Sequence, residues 1–416
     1  MAGATAIASS THEKLKRARR AASQIAQLST EQKNSLLLQM ADAIESSAAT
    51  VLRANAEDLK HANLSGAMHD RLLLTPQRIK ETAQAVRDVA ALPDPVGELL
   101  EEWRRPNGLN IRKVRVPLGV VGIVYESRPN VTVDAAVLAF KSGNAVVLRG
   151  GKEAAQSSQA LAEILAAVPG VPSGAIELLD SSTRDTVHEL ITARAFVDVV
   201  IPRGGPALIS HVIENATVPV IETGAGNCHI FVDESADLDM ASRIVLNAKT
   251  QRPSVCNAAE KLLVHTSISN TFIPRIVREL SDAGVELRGD DATQRLAPTV
   301  KAANEQDWGE EYLRLCMAIH VVSGLEEAIK HITRYSTKHS EAIITSNEDH
   351  ARKFLRLVDS AAVYWNASTR FTDGGEFGFG AEMGVSTQKL HCRGPFALRE
   401  LTSIKYEIIG TGQVRD

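Results

Sequence analysis

Residues Leu109–Glu126, LNIRKVRVPLGVVGIVYE, change character half-way along. Up to Val116 the apolar residues Ile111, Val114 and Val116 are interspersed with basic ones, the pattern of a strand with one wet face. From Val120 to Tyr125 the run is apolar throughout, the pattern of a strand covered on both faces. The expectation is an exposed hairpin arm that feeds a buried strand. Strand candidates then alternate with helical stretches, at Ala145–Leu148, Ile176–Leu179, Val197–Ile201 and Val218–Ile221. Short β-runs separated by helices imply right-handed crossovers and a parallel, doubly wound sheet. A second series, HIFVD (229–233), EKLLVH (260–265), AIHVV (318–322), EAIITS (341–346) and AAVYWN (361–366), predicts a second α/β unit. The boundary falls near Thr223 to Asn227, where TGAGN supplies glycine.

Working outward, the first hundred residues read as helices. Ser29 can cap a helix with Gln32 three positions on, and Leu36, Met40, Ala43 and Ile44 recur at helical spacing. Ile79, Ala83, Val86 and Val89 repeat that pattern. The tail LHCRGPFALRELTSIKYEII (390–409) has strand character and can pair with the hairpin arm or with another subunit.

With 416 residues, 44% hydrophobic and 23% charged, the chain is a multi-domain globular protein. A formal charge of -4 provides no broad basic field, which argues against nucleic acid as a partner. No apolar run approaches the roughly 20 residues that span a bilayer, so no membrane association is expected. The first twenty residues carry their charges after a weak apolar start, the reverse of a secretory signal, and a cytoplasmic protein is expected. The four cysteines, Cys228, Cys256, Cys316 and Cys392, lie far apart without a C-x-x-C pair, which excludes a zinc ribbon and a disulfide scaffold. No metal site is expected.

Two strands on this reading end in the same tripeptide, Arg149-Gly150-Gly151 and Arg203-Gly204-Gly205. Glycines after a parallel strand let backbone N–H groups approach an anion, the next helix N-terminus is electropositive, and arginine adds a charged fork. Two such ends on neighbouring strands suit a dinucleotide. Neither is a Walker loop, since the spacing is wrong and Glu153 stands where a hydroxyl belongs. Cys256 sits in AKTQRPSVCNAAEKLLVH (248–265), close behind Lys249 and Arg252. Positive charge and a helix start, here NAAEKL, raise the thiolate fraction of a group whose ordinary pKa is about 8.5. Cys228 and Cys392 also have basic neighbours, His229 and Arg393, so spacing alone favours Cys256 only modestly.

The order PLGVVGIVYESRPN, SGNAVVLRGGKEA, ETGAGNCHIFVDESADLD and a cysteine about thirty residues on resembles the aldehyde dehydrogenase superfamily. NAKTQRPSVCNAAE, AIKHITRYSTKHSEAIIT and EMGVSTQKLHCRGPFALRELTSIKY resemble its gamma-glutamyl phosphate reductase family, over essentially the whole chain. The resemblance implies an aldehyde dehydrogenase-like α/β fold: a doubly wound cofactor-binding domain over 1–102 and 119–225, a second α/β catalytic domain over 226–385, and a small β oligomerisation arm and tail over 103–118 and 386–416. It implies NADPH-dependent reduction of L-glutamate 5-phosphate to glutamate 5-semialdehyde, the second step of proline synthesis, by a homo-oligomer, with glutamate 5-kinase as a candidate partner. Cys256 is then the nucleophile that carries the acyl group, with its own N–H and Asn130 as oxyanion donors. Lys152, at a position where NAD-using relatives hold a ribose-binding glutamate, favours NADP(H). Arg149, Arg203 and Glu311 are further cofactor contacts, and Arg128, Arg252, His391 and Arg393 are candidates for the substrate's two anionic ends. His331 and His339 are left as structural. Glu222 falls where hydrolytic relatives keep a water-activating carboxylate, which makes a hydrolytic aldehyde dehydrogenase the nearest rival. A thiol acyltransferase without redox chemistry leaves the two glycine-rich strand ends unexplained.

Overall fold

The protein was analysed as a computed structural model that describes residues 2–62 and 66–415. The chain forms two compact units. The first runs through Glu222 and regains Gly380–Gly384 and the segment from Phe396 onward; the second holds Thr223–Phe379 and Val385–Pro395.

In the first unit the apolar run became strand Val120–Tyr125, buried at every position, at the heart of a parallel sheet. The spatial order is Ile176–Leu178, Ala145–Arg149, Val120–Tyr125, Val199–Arg203. The chain therefore moves to one side by way of helices Pro129–Lys141 and Ala155–Ala166, then returns past its starting strand to the other side. Between Val120–Tyr125 and Val199–Arg203 the winding reverses, and such a switch point opens a crevice at the carboxyl ends of the strands. The expected strand Val218–Ile221 is only a bridge between Val200 and Val220. Pro219 lacks the N–H that a longer ladder needs.

The helical region packs as its periodicity demands, with a shift. Helix Thr30–Ser46 carries the Ser29–Gln32 capping box and buries Leu36, Leu37, Met40, Ala41 and Ile44, with Ala43 at the margin. It also buries Lys33, whose Nζ meets Asp94 at 2.5 Å. Removing either partner of such a pair costs about 3–5 kcal/mol, because the other charge stays buried alone.

The hairpin arm is Leu99–Arg104 paired antiparallel with Asn110–Pro117, and the tail strand Thr402–Ile409 pairs antiparallel with Asn110–Pro117 on its other side. Of the two partners open to the tail, the arm is the one it takes. Alternate tail residues Ile404, Tyr406 and Ile408 are 44%, 52% and 62% exposed, which leaves an apolar stripe on an edge strand.

The second unit is a seven-stranded parallel sheet, in the order Lys301–Ala302, Glu286–Gly289, Cys316–Val322, Ala259–His265, Cys228–Val232, Ser340–Ile344, Ala362–Trp365. The first two strands of that order had no expectation in the sequence. Its central strands Ala259–His265 and Cys228–Val232 are buried at every position, and the sheet packs with helices Leu238–Thr250 and Thr266–Asp282 through Val245, Ala248, Phe272 and Ile276. Among the described residues no helix is long and apolar enough to cross a membrane.

Candidate active site

At the carboxyl ends of the first unit's strands the two Arg-Gly-Gly turns are not on neighbouring strands, since Val120–Tyr125 lies between them. Each helix that follows has an anion at its N-terminus, as its dipole requires. The anions, however, are the protein's own carboxylates. Asp58 accepts from Gln156 N at 3.0 Å and Ser157 N at 2.8 Å at the start of Ala155–Ala166. Glu126 accepts from Gly205 N at 2.8 Å at the start of Pro206–Asn215. The Gly205 N–H and the first N–H groups of Ala155–Ala166 are thus answered from within the chain. Arg149 is likewise turned inward: its guanidinium donates to Gly150 O at 2.8 Å, Thr183 O at 2.7 Å and Thr186 Oγ1 at 3.3 Å, and burial lowers its pKa. It orders the 181–186 loop rather than presenting its fork outward.

Two cations there differ. Lys152 is exposed in the turn Lys152–Ala154, and Arg203 has a buried Nη1 without a hydrogen-bond partner. Such an orphaned donor is rare in a folded protein, and an anionic ligand would satisfy it. Arg128 is the exposed N-cap residue of Pro129–Lys141. Asn130, in the first turn of that helix, gives its amide to Asp134 Oδ2 at 3.2 Å, an engagement that competes with an oxyanion role. Burial pushes Asp134 up to about 6.

In the second unit the cysteines separate cleanly. Cys228, Cys316 and Cys392 are buried, and Cys256 alone of the four is partly exposed. Burial raises the pKa of Cys228 and Cys316, which keeps those thiols protonated and inert. Cys256 lies on the turn 251–258 between helix Leu238–Thr250 and strand Ala259–His265. The expected helix at Asn257 is absent. Asn257 and Ala258 turn directly into the strand, so no helix N-terminus faces the sulfur. β-propensity and burial on both faces of AEKLLVH outweigh its helix formers.

What holds the turn is a set of buried polar contacts at the amino ends of the strands. Lys249 and Glu260, on either side of it, pair at 2.8 Å with both side chains fully buried, and burial against the pull of Lys249 leaves Glu260 at about 7. The Cys228 thiol donates to the Cys256 carbonyl at 3.1 Å. Gly226 lies so close that a Cβ there would fall 1.4 Å from the Cys256 carbonyl oxygen, and a Cβ on Gly224 would meet the Thr387 side chain at 2.2 Å. Here TGAGN has glycine because the backbone itself is the packing surface. Glu311, expected against a nicotinamide ribose, instead accepts from Gly226 N at 2.6 Å, and burial raises its pKa. It is a positioning residue for the thiol turn.

Arg252 is exposed four residues before the thiol, and His391 is exposed. Arg393 is committed elsewhere: it donates to Asp359 Oδ1 and Asp359 O, both at 2.7 Å, and with Lys389 holds that carboxyl down at about 2. The ion pair engages part of the guanidinium, while its buried Nε has no hydrogen-bond partner. His331 and His339 are buried and held neutral, with pKa values lowered by burial to about 2 and about 4. Sequence reasoning missed Arg370, whose guanidinium reaches both ends of the thiol turn through Gln251 and Asn257. The only signal was its place in NASTRFTDGG, next to a strand end.

Two α/β units, a switch-point crevice with unanswered positive charge in one and a single accessible thiol in the other, define an aldehyde dehydrogenase-type enzyme, and the aldehyde dehydrogenase family model matches residues 3–315. The chain is 67% identical to a gamma-glutamyl phosphate reductase of Koribacter versatilis, over 97% of this chain and 100% of that protein. It is 55% identical to one of Caldanaerobacter subterraneus, over 97% and 99%. The crystal structure of gamma-glutamyl phosphate reductase from Thermotoga maritima superposes with a TM-score of 0.96 at 49% identity, covering 98% of this chain and 100% of that one. An acetylating aldehyde dehydrogenase of Geobacillus thermoglucosidasius, at 16% identity and a TM-score of 0.69, shares the fold. The chain belongs to the gamma-glutamyl phosphate reductase family.

Proposed function

We propose that the protein reduces L-glutamate 5-phosphate to L-glutamate 5-semialdehyde and phosphate with NADPH, the second step of proline synthesis from glutamate. The observation that carries this reading is the single accessible thiol, on a turn beside Arg252, in a chain alike over 97% of its length to a protein named for that reaction. The Cys256 sulfur attacks the acyl carbon, the S–C bond forms as the C–O bond to phosphate breaks, and the electron pair leaves with phosphate. The Cys256 N–H is the proposed donor to the oxyanion. A reduced nicotinamide supplies the hydride that takes the acyl group to the aldehyde level. Collapse of the thiohemiacetal on Cys256 then returns the thiolate. The four cysteines form no disulfide, in accord with a reducing compartment, and we place the protein in the cytoplasm. An acyl phosphate is labile, which favours transfer from the kinase that makes it, and glutamate 5-kinase is the partner we propose.

For the cofactor, the orphaned Arg203 Nη1 and the exposed Lys152 fit its phosphates. An ammonium pairs with a 2′-phosphate but cannot accept from a 2′-hydroxyl. Lys152→Glu is therefore expected to weaken NADPH relative to NADH by roughly five- to thirty-fold, the worth of one charge-assisted contact. Binding titrations with the two cofactors measure it, and an unchanged ratio would move the 2′-phosphate to Arg203.

The assay that separates this function from hydrolytic aldehyde oxidation runs the reaction backwards. With semialdehyde and NADP, NADPH formation should rise saturably with phosphate, because phosphate arrives already nucleophilic and needs no strong general base. Glu222→Gln should matter little. Rapid, sustained turnover with phosphate omitted, abolished by Glu222→Gln, would replace the proposal with a hydrolytic dehydrogenase.

We also propose a homo-oligomer, since the edge strand Thr402–Ile409 and its exposed Ile404, Tyr406 and Ile408 invite a second copy. Deleting 402–416 should yield monomers or aggregates on sedimentation, and a stable, active monomer would refute it.

A further inference from the structure

Arg370 and the thiol turn are locked to each other. The Arg370 Nε donates to Gln251 Oε1 at 2.8 Å and its Nη1 to Asn257 Oδ1, so one guanidinium spans the turn from the residue before Arg252 to the residue after Cys256. In return the buried Asn257 donates its side-chain amide to Thr372 O at 2.9 Å and to Arg370 O at 3.4 Å, while Thr369 Oγ1 donates to Asn257 O at 2.7 Å. Both acceptors of the guanidinium are neutral amide oxygens. They fix its plane without cancelling its charge, as a carboxylate would. Burial lowers the Arg370 pKa, and so does repulsion from Arg252, while Asp373 and the sulfurs of Cys256 and Cys228 act in the opposite sense. The Asp373 carboxylate is itself engaged by Gly375 N at 2.8 Å and Glu376 N at 3.3 Å. A guanidinium stays charged in such surroundings. Arg252 repels this charge, and an anion that binds both cations removes the repulsion.

We propose that Arg370, anchored between Gln251 and Asn257 with Arg252 following its first anchor, is the subsite for the phosphoryl group of the acyl phosphate and for inorganic phosphate in the reverse direction. This rests on the acyl-phosphate reading above. As Cys256 Sγ bonds to the acyl carbon, the C–O bond breaks and its electron pair passes to the departing phosphate, whose charge grows. A cation fixed there binds the transition state more strongly than the ground state. The planar fork of arginine suits a phosphate's paired oxygens, and lysine replaces it poorly.

The test follows alkylation of Cys256 by iodoacetamide with and without inorganic phosphate, at ionic strength held constant with chloride. In the native protein phosphate should slow alkylation several-fold; in Arg370→Gln that ratio should fall to one, and in Arg370→Lys it should be intermediate. A purely structural role would alter the alkylation rate equally in both conditions and leave the ratio alone. Far-UV circular dichroism and thermal unfolding of the whole chain report that each variant is folded, since Arg370 lies in the second unit. In the reverse assay Arg370→Gln should raise the apparent KM for phosphate roughly ten-fold or more, with the KM for semialdehyde within about two-fold. Equal protection by phosphate in Arg370→Gln overturns the proposal, as does a rise confined to the semialdehyde KM, which would make Arg370 the carboxylate site. If native turnover needs no phosphate, the acyl-phosphate reading itself fails. If native turnover needs phosphate and Arg370→Gln needs no more of it, only the subsite fails.

Discussion

Cys256→Ala should lower turnover by on the order of 10⁴-fold or more, the scale seen when a covalent nucleophile is removed, with NADPH affinity within about two-fold of the native value. The asymmetry follows from where the groups sit. The thiol belongs to the second unit's turn 251–258, whereas Lys152 and Arg203 belong to the first unit. No other cysteine can substitute, because the remaining three are buried. Cys316→Ala and Cys392→Ala should keep most activity. Cys228→Ala should cost a few-fold, since its S–H bond to the Cys256 carbonyl is a weak one. Single-turnover NADPH consumption with glutamyl phosphate, alongside a cofactor titration, gives both numbers. Normal turnover in Cys256→Ala would end the thioester mechanism.

Gly226→Ala should also be severely damaging, though it adds one methyl group and touches no reacting atom. The new Cβ would lie 1.4 Å from the Cys256 carbonyl oxygen and 2.3 Å from the carbonyl carbon. Those are backbone atoms, and no rotamer change relieves the overlap. The turn has to move, and the Gly226 N–H bond to Glu311 at 2.6 Å has to move with it. A displacement near 1 Å at a nucleophile costs about 10²-fold in rate, and that loss in kcat/KM is the minimum expected. Thermal unfolding should show a destabilisation of about 1–3 kcal/mol, typical of forced overpacking. Glu311→Gln keeps an acceptor for the same N–H and should lose much less. Native activity in Gly226→Ala would mean that the turn is looser than its packing implies.

The parts of this architecture legible in sequence were those governed by periodicity. The change from alternating to continuous apolar residues at Val120 marked the central strand, and the Ser29–Gln32 capping box marked a helix start, because both signals are local. The helix expected after Cys256 failed because tertiary burial outranks propensity over so few residues. Glycine pairs after strands point to a bound dinucleotide phosphate; nothing local could say that carboxylates of the chain itself, Asp58 and Glu126, stand at those helix starts, from 98 and 79 residues away along the chain. Glu311 and Arg393 are expected as ligand contacts from the family motifs in which they stand. Their partners, the Gly226 N–H and Asp359, are distant in sequence and near only in the folded unit. Arg370 was missed for the same reason.

The pairing of the tail strand with the arm also fixes the order in which a ribosome can deliver this protein. Pro117 pairs with Thr402, 285 residues later (402 − 117), and most of the intervening chain is the second unit. At roughly 5–20 residues per second, about 15–60 s pass between the emergence of the two partners. Throughout that interval the Asn110–Pro117 edge of the hairpin is open, flanked by apolar residues, in a setting crowded with other nascent chains. The second unit has all of its strands before Thr402 appears, so it can fold early, while the first must wait for its final seam. Nascent chains stalled before residue 402 should consequently be a preferred substrate for ribosome-associated chaperones, and a stalled chain extended by a linker long enough to carry the tail strand out of the exit tunnel should lose that preference.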